Sequence, residues 1–205
     1  MNEKEQWNKY LEWSYEEFFS SIESHESVLE LGPGPGHHSK LILKQDPSYL
    51  MLVEPEIFSA QGLKKSIKQK SIQNASIYHN GYEEFFSQRR PFDVVVCCGL
   101  LYHLLAPLHL LEKIVNHSTP NKIIISNIDV EEDGVVPYEY DYKHNPLGRS
   151  NGMFIQNPLN YWHKLSSGTV KKIMESSGYK CVKELDTKEV WPKNVYYWQM
   201  YKWNL

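Results

Sequence analysis

Three groups of residues in this chain have types and spacings that could do chemistry together. The first is Glu30-Leu31-Gly32-Pro33-Gly34-Pro35-Gly36, an acidic residue followed by three alternating glycines. Glycine lets the backbone turn sharply and approach a ligand closely, because no Cβ intervenes. The dinucleotide fingerprint G-x-G-x-x-G would need a glycine at position 37, and the chain has His37 there. Pro33 and Pro35 also remove two N–H donors, whereas a pyrophosphate wants several such donors at a helix start. The loop suits a ligand that needs close approach and carries no pyrophosphate. The second group is Glu54 with Pro55, 22 positions beyond Gly32. An acidic residue at that distance can accept hydrogen bonds from both hydroxyls of a ribose. The third is Cys98-Gly99-Leu100-Leu101-Tyr102-His103. An imidazole titrates in the range useful to a general base, so His103 is the leading proton acceptor. It could equally pack or cap at a helix start. Tyr102 could face a reacting group or simply fill space.

The elements that must position these groups alternate. Apolar residues at helical spacing (Trp7, Tyr10, Leu11, Ser14, Phe18, Ile22) predict an amphipathic helix over Gln6 to Ile22. Strands are predicted at Ser27 to Leu31, Tyr49 to Val53, Ala75 to His79, Phe92 to Cys98 and Lys122 to Ser126. Between them fall helices at Ser39 to Gln45, Ile57 to Lys70, Tyr82 to Gln88 and Pro107 to Asn116. The continuous apolar run Val94-Val95-Val96-Cys97 is what a strand covered on both faces requires. This alternation implies right-handed βαβ units, hence an α/β fold with a mostly parallel sheet and helices on both faces. The rhythm stops after Ser126. Residues 127 to 165 show no clear element but hold Tyr138, Tyr140, Tyr142, Phe154, Tyr161 and Trp162. A long aromatic connection inside a domain suggests a functional cover. Ser166 or Ser167 then caps a helix that ends at Gly178. The last strands, Tyr179 to Leu185 and Val195 to Trp203, have no helix between them and should pair antiparallel, giving a sheet of seven strands.

A nucleoside without pyrophosphate is the chemistry of S-adenosylmethionine, and the motifs agree. Val28-Leu29-Glu30-Leu31-Gly32-Pro33-Gly34-Pro35-Gly36 resembles motif I of the class I, Rossmann-like S-adenosylmethionine-dependent methyltransferases. Glu54 resembles that family's acidic residue after the second strand, and Phe92 to Leu104 its fourth-strand motif. The closing antiparallel pair is also similar. The resemblance implies cofactor contacts from Glu30, Gly32, Pro33, Gly34 and Gly36, from Glu54 and Pro55, and from Cys98, Gly99 and Leu100. Tyr102 and His103 would lie beside the transferred methyl. Many members have an acidic residue after the third strand that holds the adenine; Asn80-Gly81-Tyr82-Glu83-Glu84 stands there instead. Adenine contact is therefore expected from Gly81, from the Tyr82 backbone or ring, or from Glu83. Trp7, Tyr10 and Tyr15 could close over the cofactor, where an aromatic face attracts a sulfonium. His37 and His38 could reach its carboxylate or lie on the surface.

Bulk properties narrow the partner. The 205 residues fit one domain: an N-terminal cover (1–24), a cofactor core (25–126), an aromatic insertion over the substrate (127–165) and a C-terminal helix with two strands (166–205). Net charge is −3, and the densest basic stretch, Lys64 to Lys70, reads as the solvated side of a helix. That balance counts against a nucleic-acid partner and favours methyl transfer to O or N of a small molecule. Leu101-Tyr102-His103-Leu104 is similar to the same segment of tRNA-wobble carboxymethyl-transferring enzymes, which keeps an RNA acceptor as the alternative, beside a protein acceptor and a cofactor-binding partner subunit without catalysis. The acidic cluster Asp129, Glu131, Glu132, Asp133 could attract a cationic acceptor or be a solvated loop. The nine histidines show no metal-ligand spacing, so no metal is expected. Three cysteines without a framework predict reduced thiols and a cytoplasmic protein. No signal-peptide h-region and no apolar run of membrane-spanning length is visible, so no membrane partner is expected.

Overall fold

The computed structural model of the chain describes residues 3–104, 106–128, 135–139, 161–187 and 195–203. The helices are α1 (Glu3–Glu17), α2 (His37–Leu43), α3 (Ile57–Gln69), α4 (Tyr82–Phe85), α5 (Pro107–Lys113) and α6 (Ser167–Ser176). The strands are β1 (Ser27–Leu31), β2 (Tyr49–Val53), β3 (Ala75–Tyr78), β4 (Val94–Cys98), β5 (Lys122–Ile128), β6 (Val135–Glu139), β7 (Tyr161–Leu165), β8 (Tyr179–Asp186) and β9 (Val195–Lys202). Seven of them form one sheet in the order β3-β2-β1-β4-β5-β9-β8. The first five are parallel, and β9 runs antiparallel to both β5 and β8. The order reverses between β1 and β4, which leaves a crevice at their carboxyl ends.

Strand periodicity sorts the core into two layers, since alternate side chains face opposite ways. Leu29, Leu31, Val95, Cys97, Ile123 and Ile125 face α4, α5 and α6, where Phe85, Leu110, Leu111, Val170 and Met174 meet them. Val28, Leu50, Leu52, Val94, Val96 and Ile124 face the other way, toward Tyr10, Phe18, Phe19, Ile22, Leu41, Ile42 and Leu63. Helices therefore cover both faces, and α1 shares a layer with α2 and α3. Among the described residues no helix is long and apolar enough to cross a membrane.

Three boundaries differ from the periodicity in instructive ways. The N-terminal helix starts at Glu3, stops at Glu17 and gives way to a 3₁₀ turn at Phe19–Ser21. Phe18 and Phe19 are both fully buried, and the backbone leaves helical geometry at Phe18 (φ −128°, ψ −53°). Beyond α5 the chain widens into a π turn over Ile114–Ser118 rather than continuing as α-helix to Asn116. The 127–165 connection, which shows no element by pattern, holds an antiparallel ribbon: β6 pairs β7 from Val135↔Leu165 to Glu139↔Tyr161. Pro137 sits inside β6, and a proline demotes a run from strand in any pattern reading. Asn127 Nδ2 donates to the Leu165 carbonyl at 3.0 Å, fixing the inner end of β7 beside β5. Asp129, Glu131, Glu132, Asp133, Tyr140, Tyr142 and Phe154 lie outside the described residues.

Candidate active site

The glycine loop leaves the carboxyl end of β1 with all three glycines at positive φ: 65° at Gly32, 54° at Gly34 and 78° at Gly36. Two of them also need the missing side chain. A Cβ on Gly32 would lie 2.8 Å from Leu100 Cδ1, and one on Gly36 would lie 2.5 Å from Leu63 Cδ2. A Cβ on Gly34 would meet nothing within 4 Å, so its Cα borders open space. The loop is tied to β2 by Gly32 N–H donating to the Val53 carbonyl at 3.0 Å.

Glu54 completes that tie. Gly34 N–H donates to its Oε2 at 2.8 Å, and Glu56 N–H donates to its Oε1 at 2.9 Å. A carboxylate offers about four lone-pair sites, so each oxygen keeps capacity for a ligand hydroxyl. Burial raises the Glu54 pKa, and the two backbone donors oppose that rise. Glu56 caps α3, accepting from Phe58 N–H at 3.0 Å and Ser59 N–H at 2.6 Å. This orients the start of α3 beside the loop.

Here, at the reversal of strand order, lies a cleft of about 570 Å³. Gly32, Pro33, Gly34 and Pro35 line it from the loop, and Glu54, Pro55, Glu56 and Ser59 from the start of α3. Cys98, Gly99, Leu100, Tyr102 and His103 line it from the end of β4. Trp7 of α1 reaches it beside His37, with ring centroids 5.2 Å apart and edge to face. The Tyr102 hydroxyl lies over Gly99, 3.3 Å from where a Cβ would stand. Burial pushes its pKa up to about 12, so it stays protonated and serves as a donor or a wall. The Tyr102 and His103 rings are 4.3 Å apart and tilted. His103 stands at the rim, and desolvation pushes its pKa down to about 4. Its imidazole is neutral across the physiological range and only weakly basic.

Ten of the residues singled out in the sequence thus meet in one cleft: Gly32, Pro33, Gly34, Glu54 and Pro55 on one side, and Cys98, Gly99, Leu100, Tyr102 and His103 on the other. Glu30, Gly36 and Tyr10 stand behind its walls. The Ser39 hydroxyl donates to Glu30 Oε2 at 2.6 Å, locking α2 onto β1. The Tyr10 hydroxyl bonds that of Tyr197 in the core. Gly81, Tyr82 and Glu83 do not line the cleft; Gly81 precedes α4, and Tyr82 is buried with its hydroxyl bonded to Glu83. His37 and His38 both line it. His38 is no surface histidine, since its ring stacks on Phe19 at 5.2 Å and its Nε2 lies 3.2 Å from the Tyr197 hydroxyl. Glu56 and Ser59 escaped the sequence reading, although the spacing Glu56-Ile57-Phe58-Ser59 directly after Pro55 is a helix-start signal. Among the described residues no three His, Cys, Asp or Glu side chains gather as a metal-holding group.

Comparisons with known proteins agree with this geometry. A family model described as a methyltransferase domain matches residues 4–184. The tRNA U34 carboxymethyltransferase of Pseudoalteromonas atlantica is 26% identical over 186 residues, covering 85% of this chain and 51% of its own length. The enzyme of the same name from Desulfotalea psychrophila is 24% identical over 137 residues, covering 64% of this chain and 41% of its own. The chain spans about half the length of these curated relatives. Among solved structures, the N-terminal domain of EvdMO1 with SAH bound superposes with a TM-score of 0.63 at 14% identity, covering all of this chain and 83% of that one. The shared fold is the Rossmann-like methyltransferase fold.

Proposed function

The chain belongs to the methyltransferase-domain family, and from that premise we propose that it transfers a methyl group from S-adenosylmethionine to an oxygen or nitrogen of a small molecule. The observation that carries the cofactor assignment is the clamp of Gly34 N–H on Glu54 Oε2 beside the cleft. The residues present fit an adenosyl group. Gly34 leaves open space for a ligand against the backbone, and Glu54 keeps acceptor capacity for ribose hydroxyls. Trp7 and Tyr102 line the cleft, and an aromatic ring attracts a cation over its face. When bound, S-adenosylmethionine supplies a methyl carbon made electrophilic by its sulfonium.

The protein's contribution is alignment and exclusion of water. Leu100 packs on Gly32, closing the loop against the end of β4. Tyr102, neutral and half-buried, walls the reacting region without competing as a nucleophile. His103 at the rim accepts the acceptor's proton where one must leave. A small-molecule acceptor is favoured by a cleft whose lining holds no lysine or arginine among the described residues, and by a volume within the range of about 300–1,000 Å³ usual for such sites.

A second reading, a tRNA acceptor, is favoured by the names of the two curated relatives and by a lysine face. Lys40 and Lys44, with Lys64, Lys65, Lys68 and Lys70, carry charge along stretches 37–45 and 57–70 that contain no acidic residue. Phosphate backbones need such a footprint.

Calorimetric titration with S-adenosylmethionine, S-adenosylhomocysteine and NAD tests the cofactor. Both sulfur nucleosides should bind and NAD should not; tight NAD binding alone would sink the reading. In Glu54→Ala the affinity for S-adenosylhomocysteine should fall by about fivefold or more, the worth of ~1 kcal/mol of hydrogen bonding. Release of S-adenosylhomocysteine with a small-molecule extract, set against bulk tRNA, separates the two acceptor readings.

A further inference from the structure

The cleft rests on a buried polar assembly that the transfer chemistry does not use. Tyr197 of β9 is fully buried, and two polar side chains bond its hydroxyl. His38 Nε2, from the cleft wall formed by the start of α2, lies 3.2 Å away. The Tyr10 hydroxyl reaches it from α1. Ser126 of β5 stands directly across from Tyr197 in the β5–β9 pairing. Ser126 in turn receives Gly99 N–H, at 3.1 Å on Oγ and 3.2 Å on its carbonyl. Gly99 lines the cleft at the end of β4. A phenol oxygen has one proton and two lone pairs, enough to bond both partners at once. Such buried groups cost little when fully paired and much when one partner is removed. The ring of Tyr197 is held as tightly, stacked on Phe18 at 5.0 Å and edge-on to Trp13 at 5.5 Å.

We propose that Tyr197 is a positioning residue of the cofactor cleft, tying the His38 wall, the Gly99 wall and the N-terminal helix into one pre-set geometry. It touches neither cofactor nor acceptor. It acts by holding His38 through one hydrogen bond and Gly99 through its packing across from Ser126, which receives the Gly99 N–H. A cleft fixed before binding avoids the ordering cost that a slack one incurs when its ligand arrives. The inference rests on the cofactor reading above for its ligand, and on geometry alone for the tie itself.

The test is Tyr197→Phe, which keeps the ring and deletes the hydroxyl, with Ser126→Ala as a second cut in the same tie and Ser126→Thr as its conservative control. Calorimetry with S-adenosylhomocysteine should give a Kd raised about fivefold in Tyr197→Phe, and raised in Ser126→Ala but not in Ser126→Thr. The double variant should be no worse than Tyr197→Phe alone, because both cuts sever one connection. A purely structural tyrosine would lower the melting temperature and leave the Kd of the folded fraction unmoved. A Kd within twofold of wild type in folded Tyr197→Phe, or additive losses in the double variant, overturns the proposal. A ligand-free readout separates its failure from that of the cofactor reading. Without ligand, Tyr197→Phe should shift the His38 ring-nitrogen resonances and speed hydrogen exchange at the Gly99 amide. If wild type fails to bind S-adenosylhomocysteine, the cofactor reading falls; if both resonances stay unchanged, the tie falls.

Discussion

Glu30 has almost no water around it. It is 2% exposed and has the Ser39 hydroxyl at 2.6 Å, and burial pushes its carboxyl up to about 8. A carboxyl whose folded pKa exceeds its unfolded value keeps its proton when folded and releases it when unfolded. The stability it contributes is therefore full below its ordinary value of 4.5 and drains away as pH rises to about 8. Glu30→Gln removes this one titration while keeping an oxygen for Ser39. The difference in melting temperature, variant minus wild type, should grow steadily from pH 5 to pH 8; a constant difference would mean that Glu30 is already ionised in the fold. His103 gives a second prediction of opposite sense, since desolvation lowers its pKa to about 4. Its neutral form is present throughout the neutral range, so kcat should show no His103 limb near the ordinary 6.5. His103→Ala should slow turnover by about 10²-fold, the low end for general-base catalysis by a weak base. Cofactor affinity should stay near wild type. An acid limb at pH 6–7 that disappears in His103→Ala would show that the ring is well hydrated.

At the scale of elements, the loop between β1 and α2 is defined by what its glycines exclude. Gly32→Ala meets two obstacles, a φ of 65° and Leu100 Cδ1 at 2.8 Å. Gly34→Ala meets only the φ of 54°. The left-handed backbone alone costs roughly 1–2 kcal/mol for an alanine. Denaturant melts should place Gly34→Ala in that range and Gly32→Ala clearly beyond it; equal losses would mean that Leu100 swings aside freely. The loop, its flanking strands and Glu54 were legible in the sequence because each is local: a short apolar run, a turn that only glycine can make, an acid at a strand end. Long-range convergence was not legible. Tyr10 carries the same helical spacing whether it faces a ligand or a buried tyrosine, and only the packing of α1 on β9 brings it to Tyr197. His38 follows His37 with no mark of burial in its type. The β6–β7 ribbon was hidden because Pro137 breaks the strand signal, although its pairing continues through Pro137↔His163. Tyr82 stood where an adenine partner was expected by resemblance, but the short α4 turns it into the core.

At the scale of the molecule, the sheet divides two unequal layers, and the one that holds α1 also holds the start of α2 and the floor of the cleft. Few of its fastenings are local. Lys122, 3% exposed, reaches back to the Ser21 carbonyl at 2.5 Å and pairs Glu26 at 2.9 Å. Lys183 of β8 meets the carbonyl and carboxylate of Glu17. Lys183 holds the last residue of α1, and Lys122 the segment just after it, so α1 is fixed at its carboxyl end and through Tyr10 in its middle. Deleting residues 3–16 would remove buried Tyr10 and Ser14 together with the Trp13 ring that packs on Phe18 at 5.8 Å. It would also uncover Tyr197 and Phe18, now both fully buried. A buried aromatic is worth about 1.5–3 kcal/mol, so losing Tyr10 and exposing its neighbours should cost about 3–5 kcal/mol. For a chain of this size that is a fall of about 10 °C in melting temperature. The truncated protein should still unfold in one cooperative step, because neither core layer depends on α1 alone. It should also bind S-adenosylhomocysteine more weakly than Trp7→Ala does, since it loses Tyr197's anchor as well as the cleft-lining tryptophan. A melting temperature within 2 °C of wild type would mean that α1 is an appendage rather than part of the layer. A drop in stability with affinity equal to that of Trp7→Ala would confine its role in the cleft to that one ring.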